Sequence, residues 1–354
     1  MHSSLVATLA YMETLLVTGG AGFIGSNFVH FVRNHHPDTK LVVLDALTYA
    51  GNLSNIASLL RPAYSSSDKR VEFIHGSIND VELVDSIVQK VDAVVHFAAE
   101  SHNDKAIVSP DIFFETNVMG TLTLLKAAQR YDVRFHHIST DEVYGDTDIN
   151  SQELFTEDSP YKPSSPYAAS KAASDHMVRA WTRTYGLKAT ISNCSNNFGA
   201  YQHIEKFIPR AITNALCGIP IKLYGDGLAM RDWIHVEDQC RAIWEILHNG
   251  RIGQTYLVSA QCVVNNKTVI DILCDIMRTQ FDCDPCIQYV RDRAGADRRY
   301  ALNPQKIRQE LGWKPEHTQF SRELESVVRW YSSNEDWWKS EKSRVEEQYQ
   351  ILGQ

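Results

Sequence analysis

Three short runs combine residue types that could do chemistry together. In Tyr167-Ala-Ala-Ser-Lys171 a phenol and an ammonium lie four residues apart, which on a helix puts them on one face. A free phenol titrates near pH ~10, and a nearby cation favours its ionised form. Such a Tyr could take a proton from an alcohol while hydride leaves the carbon. Tyr and Lys fall four apart often enough by chance that the pair means little alone. A second run, Ser139-Thr140-Asp141-Glu142-Val143-Tyr144-Gly145, holds hydroxyls beside two adjacent carboxylates. Two carboxylates can divide work as acid and base when their surroundings push their pKa values apart, although a solvated acidic turn would have the same composition. The third run is Gly19-Gly20-Ala21-Gly22-Phe23-Ile24-Gly25. Glycines at Gly19, Gly22 and Gly25 permit a tight turn and close approach of a pyrophosphate to a helix N-terminus. Asp45 follows Gly25 by about twenty residues, where a carboxylate would hold the ribose hydroxyls of an adenosine. It would repel a 2′-phosphate, so NAD is favoured over NADP.

The elements that must position these runs follow from periodicity. Residues 15–18, 41–45, 71–75, 93–97, 135–139 and 188–193 are short apolar runs that predict strands. Between them, 23–34, 81–90, 112–131 and 167–185 predict helices. Strand–helix alternation builds a doubly wound parallel sheet covered on both faces. Its carboxyl edge is where ligands bind; the glycine and acidic runs stand at predicted strand ends, and Tyr167–Lys171 opens a predicted helix. Beyond residue 196 the spacing predicts helices at 206–217, 236–248, 269–280, 306–311 and 320–332, with strands at 221–224, 255–258 and 287–290. The α/β class is therefore a Rossmann-type sheet with a smaller C-terminal α/β domain. The expected boundaries are 1–195 for dinucleotide binding, with a returning segment at about 228–263, and 196–354 mainly for substrate.

A length of 354 residues fits two domains or one large one. The balance of 44% hydrophobic and 22% charged residues predicts a globular chain with a sizeable core. A net charge of −8 argues against nucleic-acid binding, which needs a basic surface. It leaves room for a small cationic pocket. No apolar run has the roughly 18–20 residues of a membrane span. The mildly apolar stretch 5–12 has no Lys or Arg before it, so no signal peptide is expected and the cytoplasm is the expected compartment. Seven scattered cysteines do not make a disulfide framework. Cys283-Asp-Pro-Cys286 lacks the further ligands of a zinc site, and no metal is expected.

Taken in order, the three motifs resemble the extended short-chain dehydrogenase/reductases that modify nucleotide sugars, specifically the dTDP-glucose 4,6-dehydratase family. The resemblance runs from about residue 14 to 332. It includes His96-Phe-Ala-Ala-Glu-Ser-His102, Thr116-Asn117, Ser195-Asn-Asn197, Tyr224-Gly-Asp-Gly227, Arg231-Asp-Trp233, Asp292-Arg293 and Asp297-Arg-Arg-Tyr300. The Thr140-Asp141-Glu142 trio discriminates. Related epimerases lack the carboxylate pair, whereas GDP-mannose dehydratases and UDP-glucuronate decarboxylases usually have Thr-Ser-Glu. The resemblance implies that Tyr167, with Lys171 and Thr140, removes the C4 hydroxyl proton as hydride passes to NAD. Glu142 would then take the C5 proton, Asp141 would protonate the departing C6 hydroxyl, and hydride would return to C6. It also implies NAD contacts from Gly19, Gly22, Phe23, Ile24, Gly25, Asp45, Ser77, Ile78, Ala98, Ala99, Thr116, Tyr167, Lys171 and Asn197. Ser101, His102, Thr140, Asn196, Lys206, Tyr224, Arg231, Asn265 and Arg293 would bind the nucleotide sugar. A homodimer, pairing helices 112–131 and 167–185, and a place in deoxysugar synthesis such as the rhamnose pathway are implied as well.

The chain departs from the family pattern in places. Ser77 stands where Asp is usual, removing an acceptor for adenine. Asn103 and Lys105 replace Val and Arg, while Ala200, Ile204, Ala296 and Phe198 replace Pro, Pro, His and Tyr. None belongs to the proton-transfer set. The alternatives are UDP-glucose as substrate, a neighbouring epimerase or decarboxylase, and a non-catalytic NAD-binding sensor. The sensor would need no Tyr167, Lys171 and acid pair together.

Overall fold

A computed structural model describes residues 13–60, 70–291 and 297–351. Residues 5–12 and 61–69, and Asp292, Arg293 and Ala296, lie outside the described residues. Twelve strands are present among them: β1 (Thr14–Thr18), β2 (Lys40–Asp45), β3 (Val71–His75), β4 (Ala93–His96), β5 (Arg134–Thr140), β6 (Ala189–Cys194), β7 (Asn196–Phe198), β8 (Ile221–Tyr224), β9 (Met230–His235), β10 (Thr255–Val258), β11 (Cys262–Asn265) and β12 (Ile287–Val290). Seven form one sheet in the order β10-β6-β5-β4-β1-β2-β3, and every pairing is parallel. The strand order reverses between β1 and β4, so a ligand crevice opens at their carboxyl ends.

The alternation along β1 explains the two cores. Leu16 faces one side, packing with Val94, Phe135, Leu124, Leu125 and Val178. Leu15 and Val17 face the other, against Phe28, Val29, Val32, Ile243 and Leu247. Period-two side chains facing two helix layers are what the strand geometry demands. Truncating a fully buried Leu such as Leu124 to Ala would cost about 2–5 kcal/mol. The helix Pro166–Tyr185 has complete end signals: the Ser165 hydroxyl accepts from Ala168 N, Pro166 starts the first turn, and Gly186 ends it at φ +73°.

The predicted helix 112–131 is instead Asp111–Phe114, a π-helical stretch Glu115–Gly120 and Thr121–Arg130. Inside it the Thr121 hydroxyl donates to the Asn117 carbonyl at 2.6 Å. Three strands had no sequence signal of their own. β7, β9 and β11 make a small sheet in which β9 pairs parallel with β7 and antiparallel with β11. A further pair joins β8 and β12. The final helix, Glu335–Ile351, was also not expected; it buries Trp338, Lys342, Val345 and Tyr349 on one face. β10 lies late in the sequence yet completes the large sheet beside β6.

All seven cysteines are free, with Cys286 exposed. His235, His317 and Glu323 bring ligand-type atoms within 4.8 Å of one another. His317 there bridges two carboxylates, Glu237 at 3.1 Å and Glu323 at 3.0 Å, and these raise its pKa to about 9. The cluster is an imidazolium clamp between helices. No helix among the described residues is long and apolar enough to cross a membrane.

Candidate active site

The glycine run closes the end of β1 as a cradle that side chains would fill. Gly19 has φ +70°, and a Cβ there would stand 2.6 Å from Ala98 N. At Gly25 a Cβ would lie 2.2 Å from Gly19 O. Gly22 caps the helix Phe23–His35, so free amides open onto the crevice. Asp45, at the end of β2, accepts from Ala21 N at 2.9 Å and Leu47 N at 2.8 Å. Its carboxylate thus fixes the loop, and each oxygen keeps further acceptor capacity. Burial raises its pKa against these two hydrogen bonds.

The other residues expected around a dinucleotide gather at the same edge. Ala98 and Ala99 follow β4, against Gly19. Ser77 and Ile78 follow β3; the Ser77 hydroxyl accepts from Asn79 N at 3.1 Å, closing a turn. Ile78 packs on Gly120, where a Cβ would meet it at 2.4 Å. Thr116 lies in the π-helical stretch beside the buried Asn117, whose amide donates to Ser170 Oγ at 2.8 Å. Ser170 in turn donates to the Tyr167 carbonyl, tying that stretch to the Tyr167 helix. Asn197 in β7 is buried, and its Oδ1 has no partner.

At the end of β5, Thr140 caps the 3-10 turn Asp141–Tyr144. Its hydroxyl accepts from Glu142 N at 3.3 Å and donates to Asp141 Oδ1 at 3.2 Å. Asp141 is 1% exposed and its Oδ2 has no hydrogen-bond partner. Burial, then the charges of Glu142 and Asp232, push its pKa well above the usual range. Burial thus favours its protonated form. Glu142 faces the cavity, and its pKa rises less: burial raises it, while Asn103 Nδ2, donating to Oε2 at 3.1 Å, pulls it back. The two neighbours therefore differ in proton affinity.

Tyr167 and Lys171 are both buried on the adjoining helix. Lys171 Nζ donates to the Ile138 carbonyl at 2.8 Å, and burial lowers its pKa to about 8 despite Asp175. The Tyr167 phenol departs from the expectation of a favoured phenolate. Burial, then Glu142 and Cys194, hold its pKa well above 10, although Thr140 pulls the other way. Desolvation and a facing carboxylate outweigh the lysine four residues on.

A cavity of about 210 Å³ adjoins this group. Ser101, His102, Asn196, Lys206, Tyr224 and Arg231 line it together with Glu142. Arg231 does not pair with the neighbouring Asp232, which accepts from Ser259 instead. Its guanidinium donates to the Met230 and Asp297 carbonyls and stacks 4.7 Å over Tyr300, keeping its charge facing the cavity. Asn265 is not among the lining residues. Its side chain caps the helix Asn266–Phe281 by accepting from Thr268 N at 2.7 Å, and Asn266 reaches the cavity in its place. Tyr349, from the unexpected final helix, lines the same space and shares a 3.3 Å hydrogen bond with His102 Nε2. Its sequence signal was the spacing of Trp338, Val345 and Tyr349 on one helical face.

A parallel sheet with the glycine cradle at its switch point and Tyr167 four residues before Lys171 makes this an extended short-chain dehydrogenase/reductase. The chain belongs to the GDP-mannose 4,6 dehydratase family, whose model matches residues 16–326. It is 51% identical to a dTDP-glucose 4,6-dehydratase of Mycolicibacterium smegmatis over 96% of this chain and 99% of that one. The dTDP-glucose 4,6-dehydratase DesIV of Streptomyces venezuelae, solved with NAD bound, superposes with a TM-score of 0.86. It is 45% identical, covering 92% of this chain and 99% of that one. A UDP-glucose 4-epimerase of Thermus thermophilus, also with NAD, is more distant: TM-score 0.80, 28% identity, and 91% and 99% of the two chains.

Proposed function

We propose that this chain is an NAD-dependent hydro-lyase that converts dTDP-glucose to the 4-keto-6-deoxy sugar. One observation carries the reading: the adjacent carboxyl groups of Asp141, buried with an unpartnered oxygen, and Glu142, bonded by Asn103 and lining the cavity, stand together at the end of β5. An epimerase has no need of that pair. The Mycolicibacterium smegmatis and Streptomyces venezuelae relatives are named for this activity.

The glycine cradle, open helix amides and Asp45 fit a dinucleotide, with Ser77, Ile78, Ala98, Ala99, Thr116 and Asn197 around it. When bound there, NAD supplies a hydride acceptor for C4 and a hydride donor for C6. Tyr167 would take the C4 hydroxyl proton as its phenolate, which Thr140, the Lys171 charge and the cationic ring of a bound NAD would favour against the burial that holds the phenol protonated without them. A ketone at C4 makes the C5 proton acidic; Glu142 removes it and returns it to C5 once C6 has been reduced. Asp141, whose burial favours its protonated form, delivers a proton to the C6 hydroxyl, which leaves as water. Arg231 and Lys206 neutralise diphosphate charge, Tyr224 and Asn196 line the nucleotide end, and Ser101 and His102 flank the hexose. Arg293 and Asn265 complete the proposed set, Asn265 through the helix it caps.

By this reading residues 1–195 with the returning segment 228–263 hold the cofactor, and the rest of 196–354 holds the sugar nucleotide. Ile107, Val108, Ile112, Phe114 and Met119 are exposed apolar side chains between residues 107 and 119 that suit a second copy of the chain, so a homodimer is proposed.

 The homodimer proposal rests only on those five side chains, which are 41–68% exposed. A cytoplasmic place and the absence of nucleic-acid partners belong to the same proposal, given the net charge of −8. The product is the kind of intermediate from which deoxysugars such as rhamnose are made.

The test is to incubate the chain with NAD and either dTDP-glucose or UDP-glucose, following products by mass spectrometry. The expected result is loss of one water from dTDP-glucose, faster than from UDP-glucose. Faster turnover of UDP-glucose would overturn the nucleotide assignment. A product of unchanged mass would overturn dehydration.

A further inference from the structure

Asn103 stands where the family pattern has Val, and it touches the proton-transfer set directly. It begins the short helix Asn103–Val108, lines the cavity and is half-buried. Its Nδ2 donates to Glu142 Oε2 at 3.1 Å, and its Oδ1 accepts from Ser165 Oγ at 3.3 Å. Ser165 is the cap of the helix that carries Tyr167, and its oxygen also accepts from Ala168 N.

Donor and acceptor rules fix the direction of this chain. An ionised carboxylate only accepts, so the amide must turn its NH₂ to Glu142. The amide oxygen is then left for the Ser165 hydroxyl, whose lone pair is already engaged by Ala168 N. Each group has one consistent role, and Val could fill none of them.

We propose that Asn103 is a positioning residue that holds the Glu142 carboxylate, ionised and aimed at the substrate, against the cap of the Tyr167 helix. The inference rests on the reading of Glu142 as the base. Hydrogen bonding to a carboxylate favours its charged form and opposes burial. The other groups that act on Glu142 are Asp297, Arg231 and Lys206, and Glu142 in turn acts on Asp141, Tyr167 and Tyr300. Arg231 and Lys206 favour its charge and Asp297 opposes it; Asn103 is the hydrogen-bond donor in this set.

The experiment compares the pH dependence of kcat for the wild type, Asn103→Val, Asn103→Asp and Glu142→Gln, all with NAD and dTDP-glucose. The base must be ionised, so activity falls on the acid side of its pKa. Asn103→Val should move that acid limb to higher pH by about one unit, with KM changed less than twofold to threefold (about). Asn103→Asp keeps the shape but adds a like charge, and should move the limb further in the same direction. A merely structural Asn103 would change thermal stability and leave the limb in place. An unmoved limb in both folded variants would overturn the inference. If Glu142→Gln retains wild-type kcat, the reading of Glu142 as base fails instead, and the two failures are thus distinguishable.

Discussion

Replacing Asp141 by Asn separates proton donation from shape. Asp141 is buried, its Oδ1 accepts from Thr140 at 3.2 Å, and its Oδ2 has no partner. The amide is isosteric and keeps an oxygen for Thr140, but it has no proton to give at neutral pH. General acid catalysis contributes about 10²–10⁴ in rate, so kcat should fall by that factor, or about 3–5 kcal/mol in barrier. Oxidation at C4 does not use Asp141. Substrate added to the variant should therefore raise the near-ultraviolet absorbance of bound reduced nicotinamide and leave it raised. Folding should not suffer. The wild-type carboxyl has a folded pKa above its unfolded value, so the unfolded state releases its proton first as pH rises. Wild type thus loses stability from this group above the unfolded pKa, and the variant does not. Urea unfolding should accordingly find Asp141→Asn gaining on wild type between about pH 4 and 7. A folded variant with wild-type kcat would refute the reasoning.

Two further outcomes follow from charges on the page. Arg231→Gln should raise KM by about 30-fold, the equivalent of about 2 kcal/mol, with a smaller change in kcat; a collapsed kcat at unchanged KM would contradict its role in binding. His317 has a folded pKa raised to about 9, first by its hydrogen bond to Glu237 and then, against burial, by Glu323. Its contribution to stability is complete below about pH 6.5 and lost as pH rises through about 9. Urea unfolding of wild type should weaken across that window by about 1 kcal/mol, allowing for solvent screening, whereas His317→Gln should lack this loss.

Much of the large sheet could be read from sequence because its strands are short runs of four to seven residues, most of them followed in the chain by a helix. The proton-transfer groups were legible for a simpler reason: Thr140, Asp141 and Glu142 are adjacent, and Tyr167 and Lys171 share one helical face. β7, β9 and β11 were not legible. They are three to six residues long and carry Asn196, Asn197, Arg231 and Asp232, which break the apolar pattern. The last helix hides a charge in its buried face, where Lys342 is neutralised by Glu346 at 2.8 Å and donates to Thr213 at 3.0 Å. Asn103 and Glu142 lie 39 positions apart, and no local pattern reports their contact.

The central claim is an internal transfer: oxidation at C4, loss of water across C5 and C6, and reduction at C6 in one binding event. The direct measurement uses dTDP-glucose deuterated at C4, with NMR and mass spectrometry of the product. Deuterium should appear at C6 of the same molecule, with no crossover in mixtures with a distinguishable unlabelled substrate. Deuterium lost to solvent, or recovered in free reduced cofactor, would contradict the account.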